Sequence, residues 1–172
     1  MTEPGPAQIS APSLVRWPHP ALRQRADEVA EIDAEVHDIW ARMIDVMEAM
    51  PGYGLAAPQL GIGLRLAVVD ASRERGQAVR MANPEIVDAS TEPFVFQEAS
   101  PNLPGGSALI SRPKQVIVAF TDPAGMRVRQ TFEGLWATSV QHQIDHLEGR
   151  MYFDRLSRTK RSMLLKKAGK RS

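Results

Sequence analysis

The sequence predicts an α+β fold, antiparallel strands packed with helices. Three observations lead there. Residues 115–121 and 126–132 are β-rich, and Asp122-Pro123-Ala124-Gly125 between them is turn chemistry, so they form a hairpin. Three other stretches carry helical signals. No regular strand–helix–strand alternation links them, which argues against a doubly wound parallel sheet.

Residues 1–12 hold three prolines, a glycine and no basic residue, and are expected to form a flexible tail. Residues 13–172 are expected to make one domain, long enough to bury a core without staples. From Val36 the apolar residues fall at Val36, Ile39, Trp40, Met43, Ile44 and Met47, an amphipathic helix with Asp33 as N-cap and Pro51-Gly52 as its stop. The small-residue stretch Gly52-Tyr53-Gly54-Leu55-Ala56-Ala57-Pro58-Gln59 is expected to be a loop, and 64–70 a strand. A second helix is expected from about Leu135 to Gly149, a suitable C′ residue, and a last one over about 157–168.

Composition narrows the chemistry. There are no cysteines, hence neither disulfides nor thiolate ligands, which is compatible with a reducing cytoplasm. No stretch approaches membrane-spanning length. Net charge is +1, yet residues 155–172 carry eight Lys or Arg and no acid, leaving −7 on the remainder. Such a basic segment suits RNA or another polyanion; a solvated terminal helix is the plainer alternative.

Within Ser139-Val-Gln-His-Gln-Ile-Asp-His-Leu-Glu-Gly149, His142 and His146 stand four apart, so both imidazoles project from one helix face. That spacing offers two neutral nitrogens to one divalent metal ion. Leu135, Thr138 and Ser139 share the face at seven, four and three positions before His142. Between the histidines, where a hydrolase would place a carboxylate base, stands Gln143.

Three segments, Gly52 to Gln59 (GYGLAAPQ), Glu98 to Gly105 (EASPNLPG) and Gln141 to Gly149 (QHQIDHLEG), resemble in order and spacing the signature segments of peptide deformylases. The likeness continues through Val68-Val69-Asp70, Asn83-Pro84-Glu85-Ile86, Arg112-Pro113 and Asp154-Arg155-Leu156-Ser157. It implies antiparallel strands around a central helix bearing both histidines, with a C-terminal helix. It also implies an Fe²⁺ or Zn²⁺ ion held by two His and one Cys, acting on N-formylmethionyl peptides. On this resemblance His142 and His146 match the imidazole ligands and Gln59 the oxyanion glutamine. Asp145 matches an acid that orients an imidazole, the plainer alternative being a solvated helix carboxylate, and Glu98 an acid able to pair with Arg112, a structural role more than a chemical one. Gly54, Glu98, Leu135, Thr138 and Ser139 line the peptide cleft. Tyr53, where the family usually has a small aliphatic residue, either narrows the mouth or covers the core edge.

Three positions depart from the pattern. Ser100 replaces the cysteine ligand, and its neutral hydroxyl is a poor donor to such a metal, so weak or absent binding is expected. Pro101 replaces the oxyanion N–H donor and has no N–H to give. Gln143 replaces the catalytic glutamate and cannot take a proton. Loss of the donor costs on the order of 10² to 10³ in rate, and loss of the base about 10² to 10⁴. The expectation is a cytoplasmic protein with the fold and the cleft but little or no deformylase activity. Alternatives are a divergent active metallohydrolase with another third ligand, and a non-catalytic paralogue that binds peptides or, through residues 155–172, the ribosome.

Overall fold

The computed structural model describes residues 13–171, so the expected tail at 1–12 lies outside the described residues. Helix α1 (Ala34–Ala49) forms on the predicted apolar period. Asp33 caps it, its carboxylate accepting from the Val36 N–H at 2.9 Å. Its buried stripe packs on the short strand β1 (Gly54–Ala56) and on β2 (Leu66–Val69). The Trp40 indole N–H reaches the Met81 carbonyl at 3.2 Å, so even the polar tip of this core residue is satisfied.

Strands β3 (Val79–Ala89), β6 (Gln115–Thr121) and β7 (Arg127–Glu133) complete a five-stranded antiparallel sheet in the order β1-β2-β3-β6-β7. The hairpin β6–β7 stands where the sequence places it. The stretch 54–56, expected as loop, is a strand instead, because its backbone pairs with β2. Pro84 inside β3 is tolerated because the register shifts between Ala82 and Glu85, and Asn83 there takes φ +50°. The Asn83 side chain both accepts from and donates to the backbone of Val29, pinning the bulge.

Strands β4 (Pro93–Glu98) and β5 (Ala108–Pro113) form a separate two-stranded ribbon. Helix α2 (Leu135–Leu147) lies against β1, β2, β7 and β5, between sheet and ribbon. Gly149 follows it at φ +78°, where a Cβ would fall 2.9 Å from the backbone of Arg23. Helix α3 (Arg158–Arg171) starts close to the expected position and runs three residues further; its Leu164 packs with Leu22, Ile110 and Met151 to Phe153. No helix among the described residues is long and apolar enough to cross a membrane.

Candidate functional site

Helix α2 buries an unusual set of side chains: Thr138, Ser139, Gln141, His142, Gln143, Asp145 and His146 are all shielded from solvent. A buried polar surface of that extent requires partners. His142 and His146 bring their Nε2 atoms to 3.2 Å. The Glu98 carboxylate accepts from Nδ1 of His142 at 2.8 Å, which turns the Nε2 of His142 toward its neighbour. Arg112 donates twice to Glu98, at 2.7 and 2.8 Å, and once to Asp145 at 2.9 Å. Arg155 closes the array with bonds of 2.7 and 2.9 Å to Asp145.

The electrostatics follow from this wiring. Burial pushes the Glu98 carboxyl upward, but hydrogen bonds from Arg112 and His142 and their charges hold it below its ordinary value. Asp145 is likewise held low against burial by Arg155 and Arg112. Burial, then the neighbouring His142, keeps His146 neutral far below the usual imidazole range. Burial and the nearby Glu98 push the Tyr152 hydroxyl up to about 12; its ring stacks on that of His142, centroids 6.0 Å apart.

Two expectations need correction. Asp145 hydrogen-bonds neither imidazole; its oxygens go to the ribbon's Arg112 and to Arg155. Glu98 is the acid that orients His142, in addition to the pairing with Arg112 expected for it. Elsewhere, His19 caps a short turn, His37 leans on Trp40 and Glu48 pairs with Arg75, so none of them joins the pair.

Gln59 is bound at both ends. Its Oε1 accepts from the Ala56 N–H at 2.9 Å and its Nε2 donates to Asn102 Oδ1 at 2.7 Å. Ser100 turns its hydroxyl to the same Asn102 oxygen at 3.1 Å. Asn102, fully buried and also tied to the carbonyls of Val15 and Gln59, is a site residue that sequence reading missed. Its position two residues after Ser100 was the available signal. Phe96 and Tyr152 were missed as well, and no spacing rule points to either.

Between α2, β1 and the ribbon opens a cleft of 470 Å³. Of the residues singled out from the sequence, Gln59, Ser100, Pro101, His142, Gln143, Tyr53, Gly54, Glu98, Leu135, Thr138 and Ser139 all line it; His146 is wholly buried behind His142. Tyr53 lines the cleft, is 46% exposed and meets Phe96 edge-on at 6.3 Å. Gly54 is required: a Cβ there would fall 2.5 Å from Ser139 Oγ and 2.6 Å from Gln143 Nε2.

The donor set can be tested against a divalent ion. Two tetrahedral ligands at ordinary zinc–nitrogen distances stand roughly 3.4 Å apart, so the histidine nitrogens have suitable spacing. A third ligand is the difficulty. Among the described residues no group of three or more His, Cys, Asp or Glu is arranged to hold a metal ion, and Ser100 offers only a neutral hydroxyl, whose proton goes to Asn102. Two neutral imidazoles with no anionic ligand do not fit a tightly held ion.

The polypeptide deformylase family model matches residues 12–162. A peptide deformylase of Phenylobacterium zucineum is 38% identical over 155 residues, 89% of this chain and 92% of that protein. One from Rhizobium meliloti is 36% identical, covering 90% of each. Among solved structures, the Legionella pneumophila peptide deformylase superposes with a TM-score of 0.86 at 35% identity, over 92% of this chain and 93% of that one. The Ehrlichia chaffeensis enzyme in complex with actinonin gives 0.86 at 31% identity, over 93% and 96%. The fold, the three motif segments around one cleft and these likenesses agree: the chain belongs to the polypeptide deformylase family.

Proposed function

We propose that this chain binds N-formylmethionyl peptide ends in its cleft and turns them over little or not at all. The observation that carries this reading is the state of the cleft's floor. The cleft is open and lined by Ser100, Pro101 and Gln143, which on the motif resemblance replace the metal ligand, the oxyanion donor and the proton acceptor. The Ser100 hydroxyl is tied to Asn102, and one N–H of Gln59 goes to the same oxygen. No step is therefore routed through a metal. The peptide's formyl oxygen would meet the remaining amide hydrogens of Gln59 and Gln143, and its formyl carbon would face the histidine pair with no anionic base beside it. That a solved relative was crystallised in complex with actinonin is in keeping with a ligand-binding protein.

A second reading, an active divergent hydrolase, is favoured by one observation, the 3.2 Å convergence of two imidazole nitrogens. Metal content by mass spectrometry on protein prepared without chelator or nickel resin, with formate release from formyl-Met-Ala-Ser on the same sample, separates the two. We expect less than one metal per chain, no turnover and measurable peptide binding. About one metal per chain with turnover would sink the leading reading. Ser100→Cys, Pro101→Leu and Gln143→Glu together are expected to bring back metal and formate release. The same proposal places the protein in the cytoplasm, with the basic residues 155–172 as a contact for ribosomal RNA.

A further inference from the structure

Strand β7 is an outer edge of the five-stranded sheet. It pairs with β6 along its whole length without a bulge, and it holds no proline. Bonds from the Asp122 N–H to the Met126 carbonyl and from the Gly134 N–H to the Lys114 carbonyl bracket the ladder. Bonded pairs alternate in an antiparallel ladder, so Val128, Gln130 and Phe132 spend their backbone groups on β6. Arg127, Arg129, Thr131 and Glu133 turn theirs outward, where no other strand among the described residues meets them. An open edge of this kind is a template for another strand. Native edges are blunted by a proline, a bulge or an inward-pointing charge, and β7 has none of these.

The sequence of the strand fits itself. Laid antiparallel about Gln130, Arg127 stands opposite Glu133 of a second copy, Val128 opposite Phe132, Arg129 opposite Thr131, and Gln130 opposite its own copy. Outward residues then meet outward residues, so the backbone bonds form in regular geometry. Arg129 and Glu133 are exposed and carry no ion pair among the described residues. Arg127 gives one bond to the Asn83 carbonyl at 2.7 Å and lies 3.8 Å from Glu85, which leaves further N–H groups for Glu133 of the second copy. On the other face, Val128 and Trp136 are only half-buried beside Phe132, so pairing covers apolar surface too. Sliding one strand by a pleat repeat sets Arg129 opposite its own copy. Sliding it the other way leaves Arg127 and Val128 with no opposite residue. Like charges directly opposite destabilise a pair, so the charges select one register.

We propose that β7 joins two copies of this chain edge to edge about a two-fold axis at Gln130, making one continuous antiparallel sheet. No residue of β7 lines the cleft, so both clefts stay open and the dimer does not depend on what they bind.

The test is sedimentation velocity on the full chain from about 1 to 200 µM. One strand pair is small beside the roughly 1,600 Å² of a standard interface, so a dissociation constant on the order of 10 µM is expected. Thr131→Pro deletes an outward N–H and leaves the β6 ladder intact, while Glu133→Arg sets like charges opposite Arg127. Each should keep the parent's circular-dichroism spectrum and weaken the dimer about tenfold or more. The chain has no cysteine, so one introduced thiol reads the register. Gln130→Cys puts two Cα atoms about 4.5 Å apart across the axis and should cross-link under mild oxidation. Thr131→Cys lies roughly 8 Å from its copy and should not. If Thr131→Pro does not fold, Glu133→Arg and the two cysteine variants still decide. A parent that stays monomeric at the top concentration, a dimer that Glu133→Arg leaves intact, or equal cross-linking of the two cysteine variants overturns the inference.

Discussion

Arg112 holds the buried charge of the site together. It is 1% exposed, donates to both Glu98 and Asp145, and through Glu98 fixes the tautomer of His142. Its own pKa is raised, because the two carboxylates more than offset the burial that would lower it. Arg112→Met would strand two buried carboxylates, and breaking a buried pair by removing one partner costs roughly 3–5 kcal/mol. The expected outcome is a large fall in the urea midpoint that Arg112→Lys only partly restores, since an ammonium cannot reproduce the two-pronged contact with Glu98. A midpoint unchanged in Arg112→Met would show that the array contributes little to stability. The pairing of Glu98 with Arg112 was legible from the motif resemblance. The bond from His142 to Glu98 was not, because it joins a helix to a strand 44 residues away and no local spacing encodes such a contact.

At the scale of elements, the turn after β2 ties the rim of the cleft to α1. Arg75 bonds Glu48 on the helix, the Gly52 carbonyl beside Tyr53 and the carbonyl of Asp70. Asp70 is fully buried; burial raises its pKa, yet bonds from Ser72 and the Gln77 N–H, with the Arg75 charge, bring it below the ordinary value of 3.8. A folded-state pKa below the unfolded one means that the unfolded chain binds more protons in that window. The stabilisation is thus complete above pH 3.8 and drains away as pH falls through the folded value. Asp70→Asn should lower the neutral-pH urea midpoint and flatten its acid dependence below about pH 4; an unaltered acid slope would locate that dependence elsewhere. The elements themselves were unevenly legible. Helix α1 and the β6–β7 hairpin follow from periodicity and turn chemistry, which are local. Strand β3 is interrupted by Asn83-Pro84, and β1 is a run of small residues that is a strand only because β2 pairs with it. The ribbon β4–β5 pairs only with itself and is bounded by prolines at Pro93 and Pro113, so its pattern carries little of a buried strand's signal.

Over the whole molecule, charge is segregated: a body of −7 carries a segment of eight cations. The structure divides those cations by role. Arg155 is committed to Asp145 and Arg161 to Asp154, so they hold the chain's end against the domain. Lys166, Lys167 and Lys170 are exposed and carry no ion pair among the described residues, so the proposed ribosome contact rests on them. Deleting α3 would be a poor test, because Leu164 would be stripped from Leu22, Ile110 and Tyr152 and the core would open along with the charge. Reversing the three lysines with Lys166→Glu, Lys167→Glu and Lys170→Glu leaves Leu164 and Ala168 in place, so the melting temperature should stay close to that of the parent. Co-sedimentation with ribosomes at low salt should then fall sharply, and the parent's binding should weaken as salt rises, as counterion release requires. Equal sedimentation of parent and reversed chains at low salt would remove the ribosome contact while leaving the cleft's reading untouched, because the two surfaces share no residue.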